Sequence, residues 1–446
     1  MSDSACADDE YLMADSQYKL QALLDIAQFY GDMYDVTYGA SKSKITVVGS
    51  AIDRDYYKEL SPWRLYNEKV SVTDNNEHLG QIVSGVDQEQ KNIDQRIAKG
   101  RNALFSLLGP AFQYKCLLNP KVKQHIFKTY ISPILRSGLS SFALRSTHLK
   151  SLTLFHRKVM RGILNLSKTS NIPALHFLLS EIPIEGQIHR DIFALFYSIW
   201  SNPNSKIYQI VKYLLEISEP NSRTWSTHLI FLTKKYGLED PLESLRKDPP
   251  SKSIFKETVM TKITAFYEKE LRESAKVNNR MKYFNVSLLS LRGQTHYALS
   301  NIETSHDAQK CRPHLKMLSG DYLTYEIKSS QSGGSAHCRC CNTADKETIS
   351  HILSECEAYS DTRSRILEQI EHLLNLSNLD FTEIFEDKEY LTQFILDPTS
   401  MNLPYRLNQN NSILTDLVKL TRDLCFAIHS SRTKILKEKT EKTNKT

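Results

Sequence analysis

The stretch STHLKSLTLFHRKVMRGILNL, residues 146–166, shows which secondary structure dominates the chain. Leu152, Phe155, Val159, Ile163 and Leu166 recur at intervals of three and four, which puts them on one side of an α-helix; a half-buried strand would need every second residue. Ser146 and Thr147 stand where a cap is wanted, because a hydroxyl there accepts from one of the first helical N–H groups. Lys150, Arg157, Lys158 and Arg161 fall between the apolar positions, so the helix is expected to bury one side and turn a basic one outward.

The same spacing extends in both directions. Ile93, Ile97, Leu104, Leu107 and Leu108 share a face, and Pro110, Pro120, Pro133 and Pro173 read as breaks between helices. A helical tract continues to about Leu323; Ser329 to Ser335, with Gly333 and Gly334, reads as a linker. Ile366, Ile370, Leu373 and Leu374 resume the helical period, and the Lys-rich tail beyond Ser431 is expected to fray. The first eighty residues differ. Ser4–Cys6 and Tyr11–Ala14 suggest a hairpin turning at Ala7-Asp8-Asp9, Asp15 or Ser16 caps a helix carrying Leu20, Leu23, Leu24, Ala27 and Tyr30, and Ile45–Val48 reads as a strand. Trp63–Tyr66 and Val70–Val72, separated by Asn67–Lys69, suggest a second hairpin, and His78-Leu79-Gly80 leads into an apolar run, Gln81–Val83. The expected fold class is mainly α, with an α/β part at the N-terminus.

Hydrophobic residues make up 40% and charged residues 24%, the composition of ordinary globular protein. No apolar run approaches the roughly 20 residues that span a bilayer. The acidic start MSDSACADDE has no apolar h-region, so an intracellular location and no membrane partner are expected. The net charge of +6 hides a segregation: from Gln95 to Ser180 there are fourteen Lys and Arg and no Asp or Glu, while the remainder carries 43 basic against 51 acidic residues. Solvated faces mix their signs, so a stretch of one sign is expected to face a polyanion.

Four of the eight cysteines, Cys338, Cys340, Cys341 and Cys356, crowd into one segment. A secreted disulfide scaffold would spread them through a small domain; a cluster in a large intracellular chain points to metal. Cys338-x2-Cys341-x9-His351-x4-Cys356 supplies three thiolates and an imidazole, a closed tetrahedral set suited to structural Zn²⁺, with His337 and Cys340 as neighbouring candidates that leave the individual ligands open. Near the other end, Asp8 and Asp9 place two carboxylates together. Mg²⁺ takes such oxygen ligands in two-ion phosphoryl transfer, although an isolated pair is more often a solvated turn.

Context adds to that pair. Cys6-Ala7-Asp8-Asp9 resembles the Tyr/Phe-Ala-Asp-Asp box of reverse transcriptases. Behind it come YGASKSK (residues 38–44), similar to the palm lysine segment, then Trp63-Arg64-Leu65 and His78-Leu79-Gly80, similar to the primer-grip hairpin of LINE-type enzymes. PILRSG (133–138) and MLSGDY (317–322) follow in the family's order, and Glu347, Thr348, His351, Leu353, Glu355, Cys356, Tyr359 and Arg363 resemble the Cys-Cys-His-Cys knuckle that ends many LINE polyproteins. Residues 200–300 match by helical character only. The chain thus resembles the C-terminal part of a LINE-type (non-long-terminal-repeat) retrotransposon reverse transcriptase.

The resemblance implies a palm remnant over 1–85, a basic helical thumb over 86–200, a helical connector over 201–328, a zinc knuckle over 329–363, and C-terminal helices with a basic tail over 364–446. It implies catalytic roles for Asp8, Asp9 and Lys42, with Mg²⁺ at the two aspartates. Lys150, Arg157, Lys158 and Arg161 would meet an RNA and DNA template-primer duplex in the nucleus, and Cys338, Cys341, His351 and Cys356 would hold Zn²⁺. Two positions depart from the family: Cys6 replaces an aromatic and Ser137 a tyrosine. The fingers and the third catalytic aspartate would belong to a missing N-terminal polymerase portion, so this RNA-directed DNA polymerase fragment is not expected to be active alone. The other readings are a non-catalytic zinc-containing nucleic-acid-binding protein and a helical scaffold.

Overall fold

The computed structural model describes residues 2–6, 9–113, 118–219, 222–341, 343–376, 384, 386–401 and 411–443. Its N-terminal part is made of short hairpins. β1 (Ser2–Cys6) pairs antiparallel with β2 (Asp9–Met13), Cys6 opposite Asp9, in agreement with the expected hairpin. Ser16 caps α1 (Gln17–Tyr34), its hydroxyl accepting from the Lys19 N–H. β3 (Lys44–Ile45) is shorter than the expected strand. Ile45 is buried but Val48 is 73% exposed, and β-branching without a packing partner does not hold a strand.

After α2 (Ala51–Leu60), β4 (Arg64–Leu65) turns back onto β5 (Glu68–Lys69) through Tyr66 and Asn67, both at positive φ. Two of the three residues read as a loop, Glu68 and Lys69, are therefore strand, because a two-residue turn of this hand matches strand twist. β6 (Ser71–Val72) leaves the hairpin to lie parallel to β3. β7 (Asn75–His78) and β8 (Gln81–Ser84) close in the same way through Leu79 and Gly80. Leu24, Ala40, Ile45, Trp63, Leu65 and Val70 make a small core of their own.

From Gln88 onward the chain is helical, as the mainly-α expectation has it. α3 (Gln88–Gln113) continues through Pro110, where the sequence predicts a break; the proline forgoes the one bond its N–H would make to the carbonyl four residues back, and the helix ends three residues later. α4 (Pro120–Ile126), α5 (Ser132–Arg136), α6 (Ser146–Leu164) and α7 (Ile172–Leu179) follow, with Pro120 and Pro173 in first turns, where a missing N–H costs nothing; Pro133 makes no break, since α4 runs on into α5 through a π-helical turn, Phe127–Ile131. α8 (Ile184–Trp200), α9 (Lys206–Glu216), α10 (Trp225–Tyr236), α11 (Pro241–Leu245) and α12 (Lys252–Lys276) pack around them. α13 (Ser305–Leu318), α14 (Tyr325–Ser332), α15 (Ser360–Leu376), α16 (Lys388–Leu396) and α17 (Asn411–Thr443) complete the body.

α6 buries Leu152, Phe155, Val159 and Ile163 as expected, but it stops at Leu164 because Asn165 turns left-handed, leaving Leu166 against the core outside the helix. Ser146 and Thr147 lie inside the helix; its cap is Arg145, which offers no oxygen. Leu107 is 49% exposed and leaves the apolar face of α3. α14 takes up most of the stretch read as a linker, and only Gly333 and Gly334, both at positive φ, interrupt it. The tail does not fray at Ser431: Arg432 is buried, and Ile435 and Leu436 pack on the core. That core runs from Ile93 to Ile428, through the borders at 200, 328 and 363. Among the described residues no helix is long and apolar enough to cross a membrane.

Candidate metal centre

The loop carrying the first two cysteines is pinned at its base. His337 and Lys346 form a single β-bridge, the Cys338 N–H donates to the Asp345 carbonyl at 2.9 Å, and the Glu347 N–H donates to the Ala336 carbonyl at 2.9 Å. Above it, the Cys340 N–H points at Cys338 Sγ (3.4 Å) and so favours a thiolate there. The Thr348 hydroxyl then accepts from the His351 N–H at 2.9 Å and opens a π-helical turn, His351–Glu355, of the kind that recurs at functional sites. That turn delivers His351 and Cys356 to the cysteines.

The Sγ atoms of Cys338 and Cys356 stand 3.9 Å apart, and Cys341 Sγ is 3.4 Å from His351 Nε2. All four ligand atoms lie within 4.8 Å of one another, and all four residues are buried. Tetrahedral coordination with metal–sulfur bonds of about 2.3 Å needs sulfur–sulfur edges of roughly 3.7 Å, so this group can hold a metal ion. It is a closed set with no position left for a substrate. Among themselves the thiols compete for negative charge. Hydrogen bonds with Cys340 and Cys356 hold the Cys338 thiol far below its ordinary range despite burial, and the same bonds push Cys340 and Cys356 up. His351 is raised to about 9 by its hydrogen bond with Cys338. A dication removes the competition by stabilising every thiolate together.

Of the neighbouring candidates, His337 is exposed and stands outside the group, while Cys340 is buried beside Cys338 and Glu347. Glu347 is engaged elsewhere. Arg432 of α17 reaches it through Nε at 3.0 Å and Nη2 at 2.7 Å, and the Tyr325 N–H donates to it at 2.7 Å. The Arg432 guanidinium also lies over the Tyr322 and Tyr325 rings, 5.4 and 5.8 Å from their centroids. This clasp ties the cysteine loop to the last helix across 85 positions of sequence. Sequence reasoning missed it, since an acid and an arginine so far apart share no local pattern.

The expected catalytic pair is less informative. Asp8 lies outside the described residues, and of Asp9 only its place at the start of β2 is described. No group of three or more carboxylates placed to hold a metal ion gathers among the described residues. Lys42 is exposed in a turn in which its N–H donates to the Gly39 carbonyl at 3.0 Å.

The four basic residues of α6 divide into two pairs. Lys150 and Lys158 are exposed. Arg157 and Arg161 are half-buried at the margin of the packed side, and burial lowers the basicity of both. Arg161 donates to the Ser170 hydroxyl at 3.2 Å and carbonyl at 3.4 Å, and Arg157 Nε is enclosed without a hydrogen-bond partner. The expected outward basic stripe is therefore narrower, because packing on a helix covers more than its apolar row. Acids from beyond the acid-free stretch also fold back onto it: Glu181 lies 3.7 Å from Lys128, and Asp191 pairs with Arg136. No protein-family model matches the chain, and no curated protein matches it.

Proposed function

We propose that this chain is a zinc-stapled, nucleic-acid-binding polypeptide of the LINE-type reverse transcriptase kind, holding an RNA and DNA template-primer duplex against its basic helices in the nucleus. The observation that carries the reading is the closed cluster of Cys338, Cys341, His351 and Cys356, which stands at the end of the ordered run of reverse-transcriptase-like segments. Three thiolates with an imidazole select Zn²⁺ over Mg²⁺. Asp8, Asp9 and Lys42 are given catalytic roles by resemblance alone, with Mg²⁺ at the aspartates. The role assigned to the chain itself is binding. Lys150 and Lys158 take the phosphate contacts, while Arg157 and Arg161 hold the helix that presents them.

The test is equilibrium binding of the zinc-loaded protein to an RNA–DNA hybrid at increasing salt. Each phosphate contact contributes a slope of about −0.9 in log K against log salt, so replacing Lys150 and Lys158 with Gln should flatten the line by about 2. Affinity that ignores salt would remove the reading. Native mass spectrometry should find one zinc per chain, absent in Cys356→Ser. The alternative, a non-catalytic zinc-containing nucleic-acid-binding protein, draws support from the closed, structural character of the metal group. Template-dependent primer extension with Mg²⁺ would exclude that alternative.

A further inference from the structure

α9 carries two apolar rows where a helix on the surface of a globular body needs one. Tyr208, Val211 and Leu215 are buried, and the Tyr208 hydroxyl donates to the Leu245 carbonyl at 2.9 Å, so this row fixes the helix against α11 and the core. The second row is Ile207, Ile210, Leu214 and, at the C-cap, Ile217, with Tyr213 beside it. It faces away from the body: Ile207, Ile210, Tyr213 and Ile217 are between 53% and 60% exposed and Leu214 is 36% exposed. Single exposed apolar side chains are common. A continuous strip of them along one short helix is the kind of patch that marks an interaction surface.

The spacing of the strip describes its partner. Intervals of three, four and three are the a and d positions of a seam on which a second helix packs. The strip is also symmetric about Lys212: Ile207 and Ile217 stand equally far from it, as do Ile210 and Leu214. Laid antiparallel on a copy of itself, Ile207 of each chain meets Ile217 of the other, and Ile210 meets Leu214, which is the reciprocal contact that a two-fold dimer requires. The charges select the direction. Lys206 and Glu216 stand at opposite ends of α9, both exposed, and neither forms an ion pair within the described residues. A parallel pair would set Lys206 beside Lys206 and Glu216 beside Glu216. An antiparallel pair brings Lys206 of each copy to Glu216 of the other and opposes the two helix dipoles.

We propose that two copies of this chain associate through α9, the strips of Ile207, Ile210, Leu214 and Ile217 packed antiparallel about a two-fold axis and flanked by Lys206–Glu216 pairs. α9 is about 16 Å long, so the two helices alone cover less than the roughly 1,600 Å² of a standard interface. The dimer is therefore weak and reversible, with a Kd on the order of 10 µM. This pairing does not depend on the nucleic-acid-binding reading above.

Sedimentation equilibrium of the zinc-loaded full chain, freed of nucleic acid, at concentrations from about 1 to about 200 µM tests it. The mass should rise from one chain toward two across that range. Ile210→Glu should weaken the dimer about tenfold or more, with the melting of the dilute protein unchanged, because the side chain is already in solvent. Lys206→Glu and Glu216→Lys should each weaken it about fivefold, since each brings like charges together. Mixing these two variants should restore about the native affinity, because each chain then supplies the charge that the other lacks. A chain that stays single throughout the range would overturn the proposal and leave the strip to a different protein. A dimer indifferent to Ile210→Glu, or a mixture no tighter than either charge variant alone, would overturn it as well; the mixture changes no side chain of the core.

Discussion

The hairpins before Gly85 and the helices after it are held together by different means. Leu24, Ala40, Ile45, Trp63, Leu65 and Val70 form the small core cluster of the first region among the described residues, and its shape comes from turns such as Tyr66-Asn67 and Leu79-Gly80. Its helix α1 leaves Ile26, Phe29 and Met33 between 57% and 67% exposed. The second region shares one core from Ile93 to Ile428 and adds a metal-ready cluster and the Glu347–Arg432 clasp. Turn chemistry can shape strands without stabilising them, since two-stranded pieces are marginal in water. Helices of this length gain most of their stability from packing. The first region should therefore be the softer one, and its loss should leave the second standing.

The largest expected effect is metal removal. Structural zinc sites contribute apparent binding free energies of about 10–16 kcal/mol, which become folding free energy for the segment they staple. Chelation, or Cys356→Ser, should open residues 325–370 and, through Arg432, the last helix, as read by amide hydrogen exchange. Residues 15–86 should exchange as before. Simultaneous opening of both regions would break the comparison.

Acid should separate them next. His176, His189, His228 and His314 are driven down by burial to about 3, 2, 4 and 4, and all four lie in the helical region. Their folded values fall below the unfolded one, so they cost nothing above about pH 6.5. As the pH falls from there toward 4, the unfolded chain takes up protons that the folded one refuses. Each histidine then withdraws about 1.4 kcal/mol per pH unit. Urea unfolding at decreasing pH should show Trp200 and Trp225 losing stability steeply while Trp63, in the hairpin region, changes little. A flat profile for the helical region would show that these histidines have room to protonate.

The clasp gives the third effect. Arg432→Met would leave the fully buried Glu347 without its counter-ion, which costs about 3–5 kcal/mol. Adding Glu347→Leu should recover most of that loss, because the burden is the stranded charge. Thermal melting of the two variants decides the point: a double variant no better than the single one would mean that the guanidinium matters chiefly through the Tyr322 and Tyr325 rings.

What could be read in the sequence follows the same division. The Ser16 cap, the α6 stripe and the Cys338-x2-Cys341 spacing were legible because each is set by residues within a turn or two of one another. The Glu347–Arg432 pair, 85 positions apart, was not, because only the packing of helices brings it together. Arg157 and Arg161 show the intermediate case: their helix was legible, but which side of it neighbouring elements would cover was not. Asn67–Lys69 erred more locally, where the twist of a two-residue turn overrode a composition that reads as loop.

The smallest effect is the most pointed test of the softer region. Ser16→Ala removes the oxygen that accepts from the Lys19 N–H and should cost about 1 kcal/mol. In the helical body a loss of that size would be hard to see. In a unit with so small a core it is a large share of what is available, because α1 lays Leu24 into that core and its Gln17 carbonyl accepts from the Trp63 indole N–H at 3.1 Å. Loosening the first turn should therefore reach Trp63. Exchange of the Trp63 indole proton should rise about fivefold, the equivalent of 1 kcal/mol, with the melting of the helical region unmoved. If Trp63 exchanges no faster, the hairpin region draws its stability from contacts other than α1, and the contrast between the two regions is smaller than their cores suggest.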